Sequence, residues 1–87
     1  MATWKKEKNS RGNIYYSLKQ GRRKATIFVG MDIFRVNKYI CKWIVFEHVP
    51  MGFDAISLQD KKEFDSLAIA KKFAEAKKKQ IKSKYFK

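Results

Sequence analysis

A chain of 87 residues with 21 Lys and Arg against 8 Asp and Glu carries a formal net charge of +13. That length allows one domain and argues against a cleft enzyme with a separate cofactor domain. Hydrophobic content of 45% argues against wholesale disorder. One cysteine, Cys41, excludes an internal disulfide framework and any CxxC site, and one histidine, His48, leaves little for a His-based metal site.

The basic stretch 1–12 reads as an N-terminal arm, 13–82 as a single sheet-plus-helix domain, and 83–87 as a basic tail. From Ile14 to Lys19 the residues alternate, with Ile14, Tyr16 and Leu18 on one side and Tyr15, Ser17 and Lys19 on the other, which is strand patterning. Gln20-Gly21-Arg22 is a turn signal. Lys24–Val29 resumes the alternation, Ala25, Ile27 and Val29 against Lys24, Thr26 and Phe28. Gly30 suggests a bulge or bend, Ile33–Val36 reads as further strand, and Asn37-Lys38 as a tight turn. Tyr39–Val49 is the longest strand candidate, rich in β-branched and aromatic residues, and Pro50-Met51-Gly52 ends it.

After residue 60 the period changes. At 100° per residue, Leu67, Ile69, Ala70, Phe73, Ala74, Ala76 and Ile81 fall in one half-turn arc, with Lys71, Lys72, Lys78, Lys79 and Lys82 opposite. Lys77 alone among the lysines sits in the apolar arc, where its stem can lie along the core while the ammonium reaches water. Asp65 or Ser66 would cap this helix, with Asp60-x-x-Glu63 as a rival start. Alternating strands followed by one amphipathic helix make an α+β fold: a three- or four-stranded antiparallel sheet backed by a C-terminal helix, its other face free. Tyr16, Leu18, Ile27, Val29, Trp43, Phe73 and Ala74 should form the core.

The charge is concentrated at the two ends. Residues 1–24 and 71–87 each carry net +7, while 25–60 carry −1 and six aromatics. Two basic ends around a neutral, aromatic middle suit a polyanionic partner. Seventeen of the basic residues are Lys and four Arg, which favours point contacts to phosphates over base reading by guanidinium forks. Tyr15, Ser17, Lys19, Lys24, Thr26, Phe28, Arg35 and Lys42 would populate the free sheet face, with Arg22 and Arg23 at the hairpin tip beside it. Lys78 and Lys79 on the helix form a competing site. A solvated basic surface is the plain alternative for each group.

Adjacent strand residues point to opposite faces, so Glu47 and His48 cannot cooperate. The carboxylates show no metal-loop spacing, and no nucleophile–base pair, phosphate loop or zinc motif occurs. The expectation is therefore a non-enzyme with no catalytic residue, no metal and no cofactor. The amino-terminal stretch has no apolar run of a secretory signal, and no segment approaches the ~20 apolar residues of a spanning helix. Together with the free thiol this points to the cytoplasm, of a host cell if the chain comes from a virus or mobile element.

CKWIVFEHVPMGFDAISLQDK, residues 41–61, resembles part of the small N-terminal arm-binding domain of tyrosine recombinases from conjugative transposons. The matching pieces are Trp43, Val49-Pro50-Met51-Gly52 and Asp54-Ala55-Ile56-Ser57-Leu58. More broadly, three strands followed by FDSLAIAKKFAEA look like the plant ethylene-response type of DNA-binding domain. The likeness covers about a quarter of the chain. It departs from the pattern in a later helix start and in having no recombinase catalytic domain after it. It implies a sheet that enters the major groove while the helix braces its back. The reading is thus a small nucleic-acid-binding protein, duplex DNA favoured over RNA, docking through Lys19, Arg22, Arg23, Lys24, Arg35, Lys42 and Tyr15. The rival is an inhibitor from a virus or mobile element that binds a larger protein with an acidic or nucleic-acid-binding surface. No membrane partner is expected.

Overall fold

The computed structural model describes residues 3–35 and 37–86. Five strands, β1 (Lys5–Lys8), β2 (Ile14–Gln20), β3 (Arg23–Met31), β4 (Tyr39–Glu47) and β5 (Ala55–Phe64), precede one helix, α1 (Leu67–Tyr85). The strands form one antiparallel sheet in the order β1-β2-β3-β4-β5. The fold is therefore α+β with one face backed by the C-terminal helix, and the expected three or four strands become five. The two edge strands, β1 and β5, have no counterpart in the expectation. Within the expected arm, Lys5–Lys8 is exposed throughout, and β5 half-buries only Leu58 and Phe64.

The core follows the alternation. Register pairs Tyr16 with Ile27 and Ile27 with Trp43, which places these residues on one face. Leu18, Ala25, Ile27, Val29 and Val45 are at most 1% exposed there, and Ala70, Ala74 and Ile81 meet them from the helix. Phe73 packs at the rim, its ring 5.4 Å from that of Trp43 and 5.1 Å from that of Phe64. Each large side chain so buried contributes roughly 1.5–3 kcal/mol. The expected core residues come together, with Phe73 only partly covered. Tyr85 and Phe86, in the basic tail, close the far end.

The helix starts after Ser66, whose carbonyl accepts the Ala70 N–H although its side chain makes no cap bond. Asp65 instead pairs with Lys38. The rival start is overturned: Asp60 and Glu63 lie in β5, opposite Trp43 and Ile40. Four further residues extend the helix past Ile81, with Lys82 and Lys84 in a last turn that favours positive charge.

Two other expectations change. Asp32–Arg35 is a loop rather than strand: Asp32 N–H donates to the Lys38 carbonyl, and the Asp32 carboxylate accepts the Phe34 N–H. Val36 lies outside the described residues. Gly30 makes no bulge but pairs with Ile40 inside β3. A Cβ there would stand 2.3 Å from the Asn13 carboxamide oxygen, so glycine lets that side chain lie over the strand. The irregularity falls instead between Val45 and Phe46. No helix among the described residues is long and apolar enough to cross a membrane.

Candidate nucleic-acid interface

The face away from the helix is built by parity. A side chain directly opposite another in an antiparallel pair shares its face. Register carries one row across the whole sheet, Glu7–Tyr15–Phe28–Lys42–Lys61, and the next row is Lys5–Ser17–Thr26–Ile44–Gln59. Beyond these, Lys19 stands opposite Lys24, and Lys24 opposite Phe46. All of these residues except Phe46 line a broad trough of about 920 Å³ over the central strands or a smaller one of about 470 Å³ beside Lys5, Lys19 and Lys24. Tyr15 and Phe28 form a tilted ring pair on its floor, with centroids 5.0 Å apart.

Lys19, Lys24, Lys42 and Tyr15 thus stand together on the open face as the alternation requires. Lys5 and Lys61 join them, and sequence reasoning missed both. The trace of Lys61 in the sequence is the alternation of Ser57, Gln59 and Lys61 with Ile56 and Leu58, whose apolar side breaks off at Asp60. Among the described residues, no carboxylate pairs with the ammonium of Lys5, Lys19, Lys24, Lys42 or Lys61. One acid, Glu7, shares the first row at the β1 edge; Asp60, opposite Trp43, belongs by parity to the helix side, and its carboxylate accepts the Lys61 backbone N–H.

Other predicted residues are placed elsewhere. Arg22 occupies the two-residue β2–β3 turn after Gly21, whose φ of 60° has the sign that tight hairpins need. Its carbonyl accepts the His48 N–H. Arg23 is not at the tip but on the helix side, where Nη1 donates to the Tyr85 carbonyl at 2.7 Å. Arg35 leaves the sheet face for the β3–β4 loop and pairs with Glu63 at 3.0 Å. Lys78 is on the covered side: its ammonium lies 4.3 Å from the Tyr16 ring centre and 3.2 Å from Glu75. Burial, and then the neighbouring Glu75, hold the Tyr16 hydroxyl above its usual pKa. Lys79 is exposed on the outer helix surface. His48 Nδ1 lies 3.0 Å from Asp54 across the β4–β5 loop, not beside Glu47. Among the described residues, no three His, Cys, Asp or Glu side chains cluster as metal ligands would.

The face thus sets lysine ammonium groups around an aromatic floor. No family model, curated protein or solved structure matches the chain.

Proposed function

We propose that this protein binds nucleic acid through the open face of its sheet. The observation that carries the reading is the set of five lysines, Lys5, Lys19, Lys24, Lys42 and Lys61, on one uncovered surface, none of them paired with a carboxylate among the described residues. Their ammonium groups are point charges suited to phosphates, and each phosphate neutralised releases condensed counterions. The helix takes the opposite face, so docking is one-sided. Limited sequence preference is expected, since phosphate contacts orient without reading bases.

The test compares two surfaces. Affinity for a mixed-sequence 20-nucleotide oligonucleotide, offered as duplex and as single strand, is measured across salt concentrations. Lys24→Ala/Lys42→Ala should lower the log–log salt slope by about 1.4–1.8, two contacts at roughly 0.7 each on single strands or 0.9 on duplex. Lys79→Ala/Lys82→Ala on the outer helix should leave it unchanged. The reverse result would move the site to the helix.

A second reading has its own observation. Ile33 and Phe34 in the β3–β4 loop are 83% and 87% exposed, and Met51 and Phe53 in the β4–β5 loop are almost wholly so. Bulky apolar tips at both ends of a basic domain suit contact with a larger acidic protein, as an inhibitor would make. Absence of binding to either oligonucleotide form would favour this reading.

A further inference from the structure

The nucleic-acid reading leaves open which form of the polymer the face accepts, and the inference here rests on that reading. The sheet has five strands. At ~4.8 Å per spacing, its outer backbones stand ~19 Å apart. The major groove of B-form DNA is about 12 Å wide and takes a helix or a two-stranded ribbon. A three-stranded sheet, ~10 Å across, would enter it; this one cannot lie flat in it.

What the face offers instead is a stacking floor between two charged clamps. Tyr15 and Phe28 are direct partners on the adjacent strands β2 and β3, with ring centres 5.0 Å apart and planes tilted by 44°. Tyr15 is 44% exposed. Its ring therefore presents π surface to the trough. Every base has a π-face, so such a ring accepts any unpaired base, whereas a paired base hides its faces in the stack.

On either side, like charges are set directly against each other. Lys42 is the Cα partner of Lys61, and Lys19 that of Lys24. Like charges in such positions destabilise a sheet unless a counter-charge lies between them. The Lys42–Lys61 pair shares the row of the aromatic floor. The Lys19–Lys24 pair lies four residues further along and two strands across, ~13 Å along the strands at ~3.3 Å per residue and ~10 Å sideways at ~4.8 Å per spacing, hence ~16 Å from the first pair. A flexible chain with a phosphate at each step can bridge the two pairs while a base drops onto Tyr15.

We infer that the ligand is an unpaired polynucleotide strand, a base of which stacks on Tyr15 and Phe28 while phosphates bridge Lys42–Lys61 and Lys19–Lys24. DNA and RNA share this chemistry, and the probes separate them. Fluorescence anisotropy is measured with 15-nucleotide oligo-dT, 15-nucleotide oligo-U and a mixed-sequence 15-base-pair duplex, at two salt concentrations. At least one single strand should bind tenfold or more tightly than the duplex. Tyr15→Ala should weaken it by about 5- to 150-fold, the loss of one base–aromatic stack, at an unchanged salt slope. Tyr15→Phe should retain the affinity. Lys42→Ala/Lys61→Ala should instead reduce the slope by about 1.4. Unfolding midpoints confirm that each variant is folded. Equal or tighter binding of the duplex, or a Tyr15→Ala variant that binds single strands as the parent does, overturns this inference and leaves phosphate docking standing. Failure of all three probes to bind overturns both.

Discussion

Lys42 and Lys61 stand side by side on the open face, and neither ammonium forms an ion pair among the described residues. Lys62, one residue on, faces the helix, where its ammonium lies 5.1 Å from the Phe73 ring centre. Lys77 likewise sits 4.6 Å from the centre of Trp43, and Lys78 covers Tyr16. The same residue type serves two ends. On the helix side lysine stems lid the rim of a small core and their charges rest on aromatic faces. On the open side the charge remains available. Composition alone shows a basic protein; strand parity decides which lysines are free to meet a partner.

The sharpest way to break that comparison uses neighbours on β3. Ile27 is fully buried under the helix, and Thr26 points to the trough. Ile27→Ala should destabilise by about 2–5 kcal/mol, because the lost methylene groups leave a cavity the rigid sheet cannot close. Thr26→Ala should cost under about 1 kcal/mol, within the spread of strand propensity. Urea unfolding of the two variants measures both. Equal costs would mean that the helix does not distinguish the faces.

A second test asks how dry the covered side is. Burial pushes the Cys41 thiol from 9.0 up to about 11, against a smaller opposing pull from the Lys77 ammonium. The unfolded chain gives up this proton from about pH 9, while the folded protein keeps it until about pH 11. Folding stability from this group is therefore full below pH 9 and is lost as pH rises from 9 to 11. At most about 2–3 kcal/mol is involved. Tyr16, also raised, acts in the same direction above pH 10. Denaturant midpoints from pH 8 to 11 should fall less steeply for Cys41→Ala than for the parent chain. At pH 8 the thiol should resist a thiol-specific reagent until the protein unfolds.

The covered side is legible in the sequence because burial selects residues at every second position. Tyr16, Leu18, Ile27, Val29 and Trp43 are all recovered from period alone, and Lys77 is recognisable as the lysine that must snorkel. Lys19, Lys24, Lys42 and Tyr15 follow as the other half of the same alternation. What cannot be read is what burial does not mark. Both faces of β1 and most of both faces of β5 meet solvent, so no apolar period betrays Lys5 or Lys61. Ile33 and Phe34 have strand propensity, yet they are exposed in a loop that Asp32 and Lys38 close through hydrogen bonds. Arg35 moves off the sheet with them, to Glu63.

The adjacent arginines Arg22 and Arg23 give the finest test, since only the turn between β2 and β3 separates their roles. Arg22 is exposed at the second turn position, and its backbone carbonyl, not its side chain, holds the His48 N–H. Arg23 begins β3 on the same face as Ala25 and Ile27. Its guanidinium reaches across to the last turn of the helix and donates to the Tyr85 carbonyl, one of the groups a helix end leaves unpaired. A cation there also suits the negative end of the helix dipole. Arg23→Ala should therefore cost about 1.5–3 kcal/mol, the range for a hydrogen bond that involves a charged group. Arg22→Ala should change stability by no more than about 0.5 kcal/mol, as surface substitutions do. Binding should order them the other way: the Arg22 side chain forms no ion pair among the described residues, whereas the Arg23 charge is spent on the helix. Removal of Arg22 should lower the salt slope by up to about 0.9 on duplex, and removal of Arg23 should leave it unchanged where the variant remains folded. Equal unfolding midpoints for the two variants would show that the link from β3 to the helix end contributes nothing. A salt slope lowered by Arg23→Ala alone would place that guanidinium on the ligand instead of on Tyr85.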